Sequence, residues 1–291
     1  MKKILSFFLI PTIIFTTLCC NQNKNAMKEI KRDNAVLNYR VEGEGDTTLL
    51  FVHGSYIDQT YWDSEVSYFK NKYTVVTLDL PGHGLSGKER TDWSTEGFAD
   101  DVLALIKELN LKNVIFIGHS WGGDINLIAA VKDPKQVIGF VAIDYFKNAA
   151  TPSVPQGQVD SITANLKKDF KATNEQYARM GLLTSKTPAD ITNRVVKDFR
   201  NAYEPMGQAI TPEVFDVYKT EQELLPKLPF KLYLINVDYM PTNEEPLKKY
   251  CSKGYEVLHM SGTSHFPMLE NPSELNRKLE EVIHEIGEVK K

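Results

Sequence analysis

The chain has 291 residues, 42% hydrophobic and 25% charged, an ordinary globular composition with enough length for one large α/β domain or two small ones. Formal net charge is −4 and no Lys/Arg block stands out against the acidic residues, which excludes the basic footprint of a nucleic-acid partner. Beyond the first twenty residues Cys251 is the only cysteine, so no internal disulfide framework is available and the core must hold itself together.

Met1-Lys2-Lys3 and the apolar segment Ile4 to Leu18 have the charged start and short greasy stretch of a secretory signal, predicted over residues 1–20. At about 15 residues the apolar part is short for a bilayer-spanning helix. Cys19 and Cys20 then open a polar stretch, a pattern that resembles a bacterial lipoprotein signal. The expectation is export to the cell envelope or beyond, with membrane anchoring through a lipid on either Cys19 or Cys20. Residues 21–34 read as a linker.

Ala35 to Val41 partly alternates apolar and polar residues, as a half-buried strand does. Thr48–Val52, Tyr73–Leu78, Val114–Ile117, Val137–Ile143 and Phe230–Ile235 are short apolar runs without alternation, which suits strands covered on both faces of a parallel sheet. Between them, Phe98, Val102, Leu105, Ile106 and Leu109 share one helical face. The last helix repeats the pattern with Leu275, Leu279, Val282, Ile283 and Ile286, preceded by Asn271 as N-cap, Pro272 at the first helical position and Glu274 as a capping-box partner. The alternation stops between about Lys147 and Lys227, where Thr187-Pro188, Thr211-Pro212 and the run Asp160 to Phe170 signal helix starts. The predicted fold class is α/β: a mostly parallel sheet flanked by helices, built from residues 35–146 and 228–291, with a helical cap inserted over 147–227.

Gly118-His119-Ser120-Trp121-Gly122 lies between an apolar strand and a helical stretch from Asp124 to Val131. A serine on such a turn has its hydroxyl exposed beside the first helical N–H groups, and the glycines remove side chains that would collide. Alone, this pentapeptide also fits a glycine-rich connection whose serine caps a helix.

Five landmarks in order make the chain resemble the α/β-hydrolase family, in its capped, esterase-like serine hydrolase branch: His53-Gly54-Ser55, Asp79-Leu80-Pro81-Gly82-His83-Gly84-Leu85-Ser86, the Ser120 turn, Asp238 and His265. A serine hydroxyl needs a base within hydrogen-bond reach, usually an imidazole. Of six histidines, His265 sits in the loop before the final helix, where the resemblance places the base. For the carboxylate that orients it, Asp238 follows the strand Lys231 to Asn236 and keeps the order Ser, Asp, His. Its surroundings, Asn236 to Thr242, lack the glycine-containing turn of the family, and Asp144 at the end of Val137–Ile143 is the alternative acid. The resemblance implies two oxyanion N–H donors, those of Ser55 and Trp121, with Tyr56 in reserve. Trp121, Tyr56, Tyr145, Phe146 and Phe266 flank these positions and are candidates for an apolar pocket wall.

The expected activity is cleavage of a small carboxylic ester through an acyl-enzyme, on a small-molecule substrate and without cofactor. The same triad permits carbon–carbon, lactone or perhydrolase chemistry, and a non-catalytic ligand-binding protein is the rival from another class. No His/Asp/Glu cluster shows metal-ligand spacing, and no Gly-x-Gly-x-x-Gly fingerprint follows a strand.

Overall fold

A computed structural model describes residues 27–152 and 154–289. The signal segment and both Cys19 and Cys20 lie outside the described residues.

Eight strands form one sheet: β1 (Lys28–Arg32), β2 (Ala35–Glu42), β3 (Thr48–Val52), β4 (Thr74–Leu78), β5 (Val114–His119), β6 (Val137–Ile143), β7 (Leu232–Val237) and β8 (Tyr255–Met260). Their spatial order is β1-β2-β4-β3-β5-β6-β7-β8, with β1–β2 and β2–β4 antiparallel and the remaining pairs parallel. Because side chains alternate along a strand, each unbroken apolar run feeds two cores. Leu50 and Val52 of β3 and Phe116 of β5 enter one, while Leu49, Phe51, Ile115 and Ile117 enter the other.

Helix α1 (Asp63–Phe69) covers the second core. Helices α2 (Thr95–Glu108) and α3 (Gly122–Lys132) cover the first. Ser94 caps α2 by accepting from the Gly97 N–H, and Phe98, Val102, Leu105 and Ile106 are buried beneath it.

The segment between β6 and β7, the cap, has only helices as its regular elements among the described residues: α4 (Gln156–Lys168), α5 (Phe170–Tyr177), a wide turn at Ala178–Leu182, α6 (Ala189–Arg200) and α7 (Glu204–Leu224). Thr187-Pro188 does precede a helix, but Thr211-Pro212 does not start one. Pro212 lies inside α7, where its missing N–H withdraws one rung of the helix, and the Thr211 hydroxyl donates to the Gly207 carbonyl one turn back at 2.7 Å. After β7 come α8 (Glu245–Tyr250), α9 (Pro267–Glu270) and α10 (Pro272–Val289), whose predicted apolar face is buried on the second core. Asn271 accepts from the Glu274 N–H, as an N-cap does, but Glu274 turns its own carboxylate to Arg277 and Lys278 rather than back to the cap.

Lys28–Arg32 lies within the predicted linker and is instead an edge strand. It folds onto β2 through Asp33 and Asn34, both in the left-handed region (φ 49° and 64°), which gives a two-residue hairpin. Its charges suit an edge that must repel other strands.

Candidate active site

The site lies at the carboxyl ends of β5 and β6. Ser120 follows β5 with φ 52°, a left-handed conformation that costs a non-glycine residue on the order of 1–3 kcal/mol, and it is partly exposed. The turn is held by the Ser120 N–H donating to the Ile143 carbonyl (3.1 Å) and by the Gly123 N–H donating to the Ser120 carbonyl (2.7 Å). A Cβ on Gly118 would stand 2.5 Å from the Gly122 carbonyl oxygen, and one on Gly122 would stand 2.4 Å from that of Val52, so both positions exclude side chains.

His265 sits between β8 and α9 and is buried (7% exposed). Its N–H donates to the Leu182 carbonyl of the cap (3.0 Å), and its carbonyl accepts from Nε2 of His119 (2.8 Å). The His119 ring, one residue before Ser120, lies 4.5 Å from the His265 ring. Burial drives His119 down to about 3, so it stays neutral and serves the elbow as a fixed donor. His53 is likewise structural: Nε2 accepts from the Leu80 N–H (3.0 Å) and Nδ1 meets the Gly54 carbonyl (2.8 Å).

The carboxylate beside His265 is Asp144, whose Oδ2 lies 2.6 Å from Nδ1 of the imidazole. Asp144 follows β6, has φ 47° and is buried. Its Oδ1 accepts from the Val237 N–H (2.9 Å) and from Nζ of Lys147 (2.7 Å). Burial by itself would raise this carboxyl, but the hydrogen bond with His265 and the Lys147 ammonium outweigh it and hold Asp144 at about 2. It is therefore anionic at neutral pH and fixes the imidazole with Nδ1–H directed at it.

Asp238, the first-choice acid from the sequence, is corrected by this geometry. Its N–H donates to the Met260 carbonyl (2.8 Å), which carries the β7–β8 pairing one residue further and turns the side chain toward β8. There the carboxylate accepts from Ser261 Oγ (2.6 Å) and meets His259 Nδ1 (3.1 Å), both on the solvent side. The residue after it, Tyr239, reaches the site instead, its hydroxyl 3.5 Å from Nδ1 of His265. Lys147 and Tyr239 were not singled out from the sequence; the readable signal was a lysine three residues after a strand-end aspartate.

No protein acceptor among the described residues takes the backbone N–H of Ser55 or of Trp121. Trp121 offers only that N–H to the site, because its indole lies in the core against Phe98 (4.8 Å) with Nε1 donating to Thr95 Oγ1 (3.3 Å). The predicted pocket wall also needs correction at Phe146 and Phe266, both fully buried side chains: Phe146 packs on Phe140, and Phe266 supports the rings of His119 and His265. Tyr145 directs its hydroxyl to Asp124. Tyr56 remains at the site, partly exposed and in contact with Phe170 and Phe199 of the cap. Among the described residues, no group of three or more His, Cys, Asp and Glu is arranged to hold a metal, and no helix is long and apolar enough to cross a membrane.

This sheet order, with a serine elbow and a histidine–aspartate pair at one rim, is that of the α/β hydrolases. The family model described as the alpha/beta hydrolase family matches residues 49–278, and the chain belongs to that family. Among curated relatives it is similar to the 2-(acetamidomethylene)succinate hydrolase of Mesorhizobium japonicum, at 27% identity over 60% of this chain and 61% of that one, so the match spans under two thirds of that relative. It is also similar to the strigolactone esterase RMS3 of Pisum sativum (24% identity, 84% of this chain, 95% of the relative) and to the karrikin insensitive 2 receptor CA of Petunia hybrida (23%, 81% and 91%). Solved structures of the same fold include Est816, described as an N-acyl homoserine lactone degrading enzyme (TM-score 0.76, 21% identity, 87% of this chain and 99% of that one). Another is a thermophilic esterase from Thermogutta terrifontis (TM-score 0.76, 17%, 90% and 99%).

Proposed function

We propose that this chain is a serine hydrolase that cleaves a small carboxylic ester, open-chain or cyclic, through an acyl-enzyme. The single observation that carries this reading is the Asp144–His265 bond at the rim where Ser120 is held in its left-handed turn. Ser120 Oγ attacks the ester carbonyl as Nε2 of His265 takes its proton. Asp144 keeps the imidazole in the tautomer able to do so and stabilises the imidazolium that forms. The Ser55 and Trp121 N–H groups, with no acceptor among the described residues, receive the charge that develops on the carbonyl oxygen, a contribution of about 3 kcal/mol per donor in such sites. The acyl C–O bond breaks as the alcohol oxygen takes the proton from His265, departing from an open-chain ester or staying tethered in a cyclic one. Water, giving its proton to His265, then attacks the acyl carbon and releases the acid as Ser120 regains its proton.

The relatives include both hydrolases and receptors, and a serine at the elbow supports ester chemistry over the branches that need a carboxylate nucleophile. The test is labelling by a fluorophosphonate, read by mass spectrometry, beside hydrolysis of p-nitrophenyl acetate. Ser120 should carry the adduct and Ser120→Ala should lose both signals. A wild-type protein that binds ligands and leaves them whole, with Ser120 unlabelled, would return the reading to a receptor. Export remains part of the proposal and predicts a mature N-terminus at or after Cys19, checked by mass spectrometry of the membrane and secreted fractions.

A further inference from the structure

Lys147 is almost entirely enclosed, with 9% of its side chain exposed, an unusual place for an ammonium group. Its Nζ lies 2.7 Å from Asp144 Oδ1 and 2.6 Å from the Val237 carbonyl oxygen, over the ring of Tyr239 at 4.1 Å. Peptide groups at 237 close the arrangement: the Val237 N–H bonds Asp144 and the Val237 carbonyl bonds Lys147. The lysine thus occupies the carboxylate oxygen that His265 leaves free and ties the end of β6 to the end of β7.

We infer that Lys147 is a positioning residue of this site, holding Asp144 aimed at His265 and opposing protonation of the imidazole, so that the base stays free at lower pH than a bare Asp–His pair would allow. This deepens the serine hydrolase reading and rests on it. With Lys147 present, the pair with a neutral imidazole has no net charge, and protonating His265 creates a net positive charge in a buried site. Without the ammonium, the same proton neutralises a buried negative charge, and protonation becomes easier. The other groups facing His265 do not supply this effect. His119 from β5 is held neutral by burial, and the Tyr239 hydroxyl from the β7 loop has its proton held by burial and by the Asp144 charge. Glu270 of α9 is engaged by the Ser264 N–H and hydroxyl. Among the described residues, Lys147 is the only lysine or arginine paired with Asp144.

The experiment is the rate of Ser120 labelling by a fluorophosphonate as a function of pH, in the wild-type chain and in Lys147→Met, Lys147→Gln and Lys147→Arg, with circular dichroism to certify folding. In Lys147→Met the midpoint of the acid limb should move up by about one unit. Lys147→Arg, which keeps the charge, should stay at the wild-type midpoint. Lys147→Gln, which keeps hydrogen-bonding capacity without charge, should follow the Met variant and replaces it if that one does not fold. A folded Met or Gln variant whose labelling falls equally at all pH values, with its midpoint unmoved, overturns the inference, since loss of a packing contact alone gives that result. Wild-type protein that is never labelled at Ser120 sinks the hydrolase reading itself, whereas labelling lost in Ser120→Ala with an unmoved midpoint sinks only the role of Lys147.

Discussion

Two aspartates compete for one catalytic part, and Asp144→Asn beside Asp238→Asn separates them. In Asp144→Asn the amide keeps one oxygen, and the Val237 N–H and Lys147 claim it at 2.9 and 2.7 Å. The NH2 then faces Nδ1 of His265, forcing that nitrogen to accept and placing the ring proton on Nε2, where it blocks removal of the serine proton. Loss of the correct tautomer in a triad is worth on the order of 10⁴ in kcat, or about 5.5 kcal/mol of activation free energy. Asp238→Asn alters a pair whose side chains are 47% and 52% exposed, worth about 0–1 kcal/mol to stability and nothing to the base. Its turnover should stay within about twofold of wild type by that reasoning. Asp144→Asn also strands the Lys147 ammonium in a buried site, a loss of about 3–5 kcal/mol in stability. Turnover of p-nitrophenyl acetate is therefore normalised to the folded fraction, and Asp144→Asn/Lys147→Met should regain stability without regaining rate. A folded Asp144→Asn variant retaining a tenth or more of wild-type turnover, or an Asp238→Asn variant as impaired, would refute the assignment.

Two further outcomes are expected. Asp124 of α3 and Glu221 of α7 share a buried site, where burial lifts Glu221 up to about 7 and burial with the Glu221 charge lifts Asp124 well above the carboxylate range. The Glu221 pKa rises on folding, so its contribution to stability is complete below about pH 4.5 and is lost as pH climbs through 7; the raised Asp124 acts with the same sign. The pH slope of the melting temperature across that interval should be flattened by Glu221→Gln, and identical slopes for the two proteins would contradict the linkage. Gly118→Ala drives a Cβ to 2.5 Å from the Gly122 carbonyl oxygen and 2.7 Å from Asn126 Nδ2, and should cost about 1–3 kcal/mol together with most Ser120 labelling. Gly157→Ala, whose Cβ meets nothing within 4 Å, is the control, and equal behaviour of the two would show that the elbow has room to spare.

Strands β3 and β6 are readable to the residue because central parallel strands are covered on both faces and appear as unbroken apolar runs. Strand β1 escapes because Lys-Glu-Ile-Lys-Arg carries a single apolar residue, and pairing on β2 rather than burial holds it in place. The serine turn and His265 are legible as local motifs. The carboxylate that pairs with His265 is not, since Asp144 and Asp238 both end strands and both precede His265 in the chain. What decides between them is tertiary: the Asp238 N–H continues the β8 ladder and turns its side chain outward, while Asp144 meets the Val237 N–H and faces inward. The pocket expectation keeps Tyr56 at the site and misplaces Phe146 and the Trp121 indole for a related reason, because nearness in sequence to an elbow says nothing about which face of the sheet a side chain enters.

The backbone of His265 is satisfied by neither neighbouring strand. Its N–H rests on the carbonyl of Leu182 and its carbonyl on the ring of His119. A chimera that replaces the cap with that of another family member must therefore return a carbonyl to the place of residue 182, or the transplant will change the aim of the imidazole while leaving the side chains of Ser120, Asp144 and His265 intact.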